Sequence, residues 1–207
     1  MEMERGNSAA QLKLPTEAEL EAAYREDLTA SFPPQELKPL SHIMEMWRQG
    51  RYLPWCFYEG ESGPIGECFL WLGEPGWALL DYLCVTPGWR NDGFGAAMLR
   101  MMRAKLPGTV ILCESESPLH APDPAMAKRR LGFYSRNGAR LAGYDTELFG
   151  VHYCTLYWAD GVVEDSILSA QHRFIYRDSF ASEKFSKYVC IPRDPQAPAA
   201  PVVPWEA

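Results

Sequence analysis

Two groups of residues in this chain have the types and spacing to do chemistry. The first is Arg90-Asn91-Asp92-Gly93-Phe94-Gly95-Ala96, which follows the apolar run Leu83-Cys84-Val85 and opens a helical pattern. The first N–H groups of a helix lack intrahelical acceptors and carry the positive end of its dipole, so such a strand-to-helix turn can bind an anion. Gly93 and Gly95 let the backbone approach a phosphate closely, and Arg90 adds a cation. The turn is not a Rossmann fingerprint, because the first glycine of G-x-G-x-x-G is missing. It is not a Walker A loop either, because no G-K-[ST] follows. Taken alone, the motif fits a plain helix-capping turn equally well.

The second group is acidic. Glu114 and Glu116 close a short apolar run, two apart, and share a face if the strand persists. Asp81 interrupts the apolar run Trp77–Val85, where an ionised acid is costly without a partner. It can be a base, a substrate anchor or a structural acceptor. His120 and His152 are further proton-transfer candidates, although each reads more simply as a loop or strand histidine. Lys128-Arg129-Arg130 reads as a solvated helix face, with contact to a phosphate as the alternative.

These residues need elements to position them. Thr16 and Glu19 form a capping box, opening a helix with Leu20, Ala23, Tyr24 and Leu28 at helical spacing. A second helix is expected from about Gln35 to Gly50, with Leu37, Leu40, Ile43, Met44 and Trp47 as its stripe. Tyr52–Tyr58 and Ile65–Leu72 read as a hairpin around the Glu59–Gly63 turn cluster. Trp77–Val85 reads as a central strand covered on both faces. The helix after the glycine turn buries Phe94, Ala97, Met98, Met101 and Met102. A short strand, Thr109–Cys113, runs into Glu114–Ser117. Asp123 caps a helix that begins at Pro124 and closes at Asn137-Gly138. Two strands follow, Arg140–Leu148 and Val151–Trp158. Val163 to about Phe180 is helical, Lys184–Val189 is a short helix or strand, and Pro192–Ala207 is a mobile or surface-lying tail.

The expected fold class is α/β (α+β): a mixed, mostly antiparallel central sheet with helices on both faces, plus a C-terminal helical extension. The expected divisions are 1–158 for the main domain, 159–191 for the extension and 192–207 for the tail. A chain of 207 residues needs neither disulfides nor a metal to fold. The six cysteines form no C-x-x-C pair and read as reduced core thiols of a cytoplasmic protein. A formal charge of −7 makes a poor binder of nucleic acid backbone and leaves cationic or neutral partners. No apolar run approaches the roughly 18 residues of a membrane span. Met1–Gly6 lacks the apolar core of a secretory signal.

The central stretch resembles the coenzyme A pyrophosphate loop of the GNAT family, the GCN5-related N-acetyltransferases. Val85-Thr86-Pro87 followed by Arg90-Asn91-Asp92-Gly93-Phe94-Gly95 matches its V-x-P and [QR]-x-x-G-x-[GA] signature. Phe133-Tyr134-Ser135-Arg136-Asn137-Gly138, downstream, matches the family's F-Y-x-x-x-G. The resemblance covers about Glu17 to Trp158. It implies a GNAT-like acyltransferase fold and transfer of an acetyl group from acetyl-CoA to a primary amine of a small molecule or protein. The amine attacks directly in a ternary complex, with no metal.

By the same resemblance Tyr134 is the acid that protonates the leaving thiolate, and a backbone N–H around Cys84 or Val85 supports the oxyanion. Arg90 to Ala96 hold the coenzyme. Glu116 or Glu114 is the base or amine anchor, with a bound water as the alternative, and Asp81 is a substrate contact. The competing reading is a non-catalytic GNAT-fold module that binds acyl-CoA or a partner protein. Asn91-Asp92, at variable positions where the family usually carries glycine or a basic residue, favours it. The extension and the Pro-rich tail are candidates for homodimer contacts.

Overall fold

The computed structural model describes residues 10–60 and 63–205. The Met1–Gly6 segment, Glu61 and Ser62 of the expected turn, and the last two positions of the tail lie outside the described residues. The chain divides into two compact units.

The first unit comprises the residues up to Pro33, Leu37–Leu70 and Tyr82–Pro107. It begins with a strand not anticipated from sequence, β1 (Gln11–Lys13), too short to show a period. β1 pairs antiparallel with β2 (Tyr52–Tyr58), Leu12 opposite Phe57. Helix α1 (Glu17–Ala23) has the expected capping box: Glu19 N–H donates to Thr16 Oγ1 (3.2 Å) and Thr16 N–H to Glu19 Oε2 (2.7 Å). The helix continues as a π-helical turn, Tyr24–Leu28, and a short α2 (Thr29–Ser31). In the π turn, Asp27 and its neighbour Leu28 are both buried. Such turns often mark functional positions.

Helix α3 (Leu40–Arg48) starts later than expected. Lys38 precedes Pro39, and a proline pushes the residue before it out of helical conformation. Its buried positions are Ile43 and Met46, while Leu37, Leu40, Met44 and Trp47 are half-buried. β3 (Gly66–Leu72) and β4 (Trp77–Val85) each contribute residues to both units. Within the first unit, a Cβ on Gly66 would stand 2.8 Å from the Cys84 carbonyl oxygen, so only glycine allows that approach. Helix α4 (Phe94–Lys105) buries Met98, Leu99 and Met102.

The second unit comprises Pro34–Glu36, Trp71–Asp81 and the chain from Gly108 onward. β5 (Val110–Glu116) runs parallel to β4, with Trp77 opposite Val110 through Leu80 opposite Cys113. Asp123 caps α5 (Pro124–Arg136), its Oδ1 accepting from the N–H groups of Ala125 (3.1 Å) and Met126 (3.0 Å). β6 (Arg140–Leu148) and β7 (Val151–Trp158) pair antiparallel, and β7 pairs antiparallel with β5.

The segment after Trp158 adds detail to the expectation at three points. Helix α6 (Asp165–Arg177) lies within the expected span; of its apolar residues Ile167, Leu168, Phe174 and Ile175, it buries Leu168 and Ile175, together with His172 and Tyr176, and leaves Ile167 and Phe174 exposed. Its inward face contains histidine and tyrosine, which a count of apolar residues does not register. Lys184–Val189 is neither helix nor strand alone. It divides between α7 (Ser182–Tyr188) and β8 (Val189–Cys190), which adds a strand antiparallel to β6. The tail lies on the surface but is held there. Trp205 is buried among Phe149 and Phe180, at ring centroid distances of 4.6 and 5.1 Å. Its carbonyl accepts from Lys184 Nζ (2.7 Å), and its N–H donates to Pro34 O (3.3 Å).

The strand order is β1-β2-β3-β4-β5-β7-β6-β8. This is a mixed α+β fold with a mostly antiparallel sheet and one parallel pair, β4 with β5. Among the described residues no helix is long and apolar enough to cross a membrane.

Candidate active site

The first unit carries the glycine turn. β4 ends at Val85, and a 3₁₀ turn over Pro87–Trp89 leads to Asn91 and Gly93, both left-handed (φ 73° and 85°). Asparagine is among the few non-glycine residues that accept this region, which accounts for its place where glycine is usual. Gly93 is the N-cap of α4, and no side chain caps it. The first amides of α4, Phe94 to Ala96, therefore receive no side-chain acceptor at Gly93, as an anion site requires. The Phe94 ring is braced by Phe57 and Trp89, each 5.7 Å away. Arg90 folds back, its Nε donating to Val85 O (2.8 Å) and Nη2 to Ser31 Oγ (3.2 Å), so it braces the turn. Asp92 is exposed.

Main-chain groups on a strand alternate between its two edges. Thr86 N–H donates to Ile65 O (3.1 Å), so Cys84 shares that edge. Val85 faces the opposite one, where its carbonyl accepts from Arg90. Of the two candidate backbone donors, Val85 is the one directed away from β3.

Beside this turn lies a buried group that sequence reading did not single out. The Cys84 thiol donates to Glu67 Oε2 (2.8 Å), and Thr86 Oγ1 donates to Asp27 Oδ2 (3.2 Å). Burial, reinforced by Asp27, pushes the Glu67 carboxyl up to about 8. Burial also raises Asp27, against the pull of the Thr86 hydroxyl. Cys84 is raised well above an ordinary thiol by burial and by Glu67. It is an inert thiol, and only its backbone is available for binding.

The second unit gathers the acids. Glu114 and Glu116 are half-buried on one face of β5, with Ser115 buried on the other. Glu114 Oε1 is 2.8 Å from His172 Nε2, and its Oε2 accepts from the Tyr176 hydroxyl at 2.8 Å. Glu116 has a looser partner, Arg130 at 4.0 Å. Glu36 joins them: burial raises its carboxyl, the Tyr153 hydroxyl bonds to it, and Glu116 and Glu114 add like charge. Asp81 is half-buried and, with Glu114, lies close enough to raise the Tyr176 phenol, whose first cause is burial. Three acids singled out from sequence thus share a neighbourhood with a fourth, Glu36, that was not.

Tyr134 is buried on α5, edge-on to Phe133 (5.4 Å) and Trp158 (5.9 Å). Its hydroxyl bonds toward Cys113, whose thiol burial raises far above its usual value. Cys113 points to the opposite face of β5 from Glu114 and Glu116, because successive strand side chains alternate. The proposed acid and the proposed bases therefore meet β5 from opposite faces.

The two histidines considered as bases pair elsewhere in this unit. His152 Nε2 is 2.6 Å from Glu147 Oε2, and its ring is 4.1 Å from that of His120. Glu147 is also held by Arg193 Nε (2.9 Å) and by Ala200 N–H (3.1 Å). Burial lowers His152, against the pull of Glu147. This cluster secures the C-terminal segment against β6. Among the described residues no group of three or more metal-type ligands is found.

No protein-family model matches the chain, and no curated protein matches it. Solved structures do. A protein assigned to the GNAT acetyltransferase family from Bacteroides thetaiotaomicron superposes with TM-score 0.64 at 24% identity, over 80% of this chain and 95% of that one. The ribosomal-protein-S18-alanine N-acetyltransferase of Escherichia coli gives 0.55 at 14% identity, over 75% and 96%. The spermidine N-acetyltransferase of Vibrio cholerae, solved with CoA and spermine, gives 0.56 at 13% identity, over 74% and 96%. The chain therefore has the fold of the GNAT acetyltransferases. At these identities the likeness defines the fold, and the chemistry must be argued from the residues.

Proposed function

We propose that this protein is an N-acetyltransferase that moves the acetyl group of acetyl-CoA to a primary amine by direct attack in a ternary complex. The observation that carries the reading is the uncapped start of α4 at left-handed Gly93, at the end of β4, on a GNAT fold. In this reading the amides of Phe94, Gly95 and Ala96 bind the pyrophosphate, and Arg90, Asn91 and Asp92 shape the turn. Backbone amides can do this in a chain of charge −7 because the positive field is local.

The acceptor enters as an ammonium, for which the acids at Glu36, Asp81, Glu114 and Glu116 provide a favourable field. Glu116, with the weaker partner, takes the proton, directly or through a water. The amine nitrogen then attacks the thioester carbonyl carbon, and the Val85 N–H supports the developing oxyanion. As the C–S bond breaks, Tyr134 gives its phenolic proton to the thiolate, and the second N–H proton, shed by the acylated nitrogen, returns through solvent to restore the phenol. The products are an acetamide and coenzyme A. A second reading, a module that binds acyl-CoA without turnover, is favoured by exposed Asp92 beside the anion turn.

Calorimetry with coenzyme A and acetyl-CoA, followed by thiol release across polyamines, amino sugars and peptide N-termini, separates the two. Binding with thiol release for a cationic amine is the expected result. Binding without release for any amine supports the module, and no binding removes both.

A further inference from the structure

Helix α6 lies beyond Trp158, where the sequence resemblance ends, yet it reaches Glu114. His172 is fully buried, and its Nε2 lies 2.8 Å from Glu114 Oε1. One turn later, on the same helix face, the Tyr176 hydroxyl is 2.8 Å from Oε2. A carboxylate accepts at both oxygens, which assigns the ring proton to Nε2. With that proton on Nε2, Nδ1 faces the Tyr144 hydroxyl at 3.2 Å as an acceptor, so Tyr144 donates to His172 and His172 to Glu114. The helix has little freedom to shift. The Trp71 ring stands 5.1 Å from Tyr176, edge-on, and Ile175 approaches Gly73 so closely that a Cβ there would meet it at 2.8 Å.

A glutamate side chain left free samples several rotamers; one gripped at both oxygens does not. We infer that the segment after Trp158 is part of the catalytic apparatus, with His172 and Tyr176 as positioning residues that hold the Glu114 carboxylate in one orientation as the anchor for the acceptor ammonium. Each oxygen keeps a second lone-pair direction for that ligand. The inference rests on the acetyl-transfer reading for its consequence, and on the geometry of α6 for the contact itself. It gives this segment a purpose within the reaction.

The test compares His172→Leu with His172→Gln, whose side-chain amide can still donate to Glu114. Steady-state kinetics are measured with an amine found by thiol release, alongside melting temperature. Expected for His172→Leu is a loss of about 10- to 100-fold in kcat/KM for the amine, with KM for acetyl-CoA unchanged. His172→Gln should recover most of that loss. Equal damage in both variants, or equal shifts in both substrates' KM, overturns the inference. If His172→Leu does not fold, Tyr144→Phe, which removes the outer hydroxyl and with it the bond to Thr155, should lower kcat/KM for the amine a few-fold; no change overturns it. The contact is read independently by NMR. A slowly exchanging His172 Nε2 proton should be present in the wild type and lost in Glu114→Ala, and its absence from the wild type overturns the inference. Wild-type protein that shows this proton but turns over no amine defeats the acetyl-transfer reading and leaves the contact standing.

Discussion

Glu67 and Glu114 are both strand glutamates, and the chain treats them in opposite ways. Glu67, in the first unit, is wholly buried beside a thiol and another acid, and burial holds its carboxyl at about 8. Glu114, in the second unit, keeps some exposure and is gripped by an imidazole and a phenol that both donate to it. The first arrangement supplies a neutral strut under the glycine turn; in the proposed reading that turn binds a pyrophosphate, which a carboxylate there would repel. The second holds a carboxyl in one orientation, which in the proposed reading anchors a cation. A glutamate's role is set by what surrounds it more than by its type.

Four experiments can break or sharpen this contrast. The largest effect is expected outside both glutamates. Tyr134→Phe should lower kcat by about 10²- to 10⁴-fold while calorimetric acetyl-CoA affinity stays unchanged; undiminished turnover eliminates the phenol as the acid.

Next is the buried strut. A carboxyl raised from 4.5 to about 8 in the folded state is protonated there while the unfolded chain ionises. Its contribution is therefore intact below pH 4.5 and is lost as pH climbs toward 8, by on the order of a few kcal/mol. Glu67→Gln should flatten that decline in denaturant-derived stability. A wild-type stability that rises across this window would contradict a neutral Glu67.

Glu116→Gln should cost about 100-fold in kcat/KM and flatten its rise toward basic pH. A profile identical to wild type assigns the proton to a water or to another acid. The smallest effect is Gly93→Ala. Nothing lies within 4 Å of a Cβ there, so only the left-handed backbone is strained. That costs about 1–2 kcal/mol and should weaken coenzyme A binding roughly tenfold, with kcat at saturation retained. Unchanged affinity would argue that the turn does not bind the coenzyme.

Much of the frame was legible because its signals are local. The capping box at Thr16 and Glu19, the Asp123 cap and the glycine turn each lie within a few residues, and their geometry follows from main-chain sterics and hydrogen bonding. Glu114 and Glu116 fell on one face because strand period is two. What escaped were long-range relations. Glu36 sits in a Pro-rich link with no motif and acquires its character from Tyr153 and from burial. Glu67 is a single polar position within Ile65–Leu72, and only the approach of Cys84 gives it a partner.

The amino-acid order by itself determined most of the element types, the glycine turn before α4, and the resemblance that named the fold. Those depend on backbone torsions and on patterns a few residues wide. Only the tertiary structure decided which side chains share an environment: that Glu67 is buried with Asp27 and Cys84, and that α6 folds back so His172 and Tyr176 grip a glutamate 58 and 62 residues away. Desolvation and charge–charge coupling act through space. Their sign at any one carboxyl is set only when the chain has closed around it.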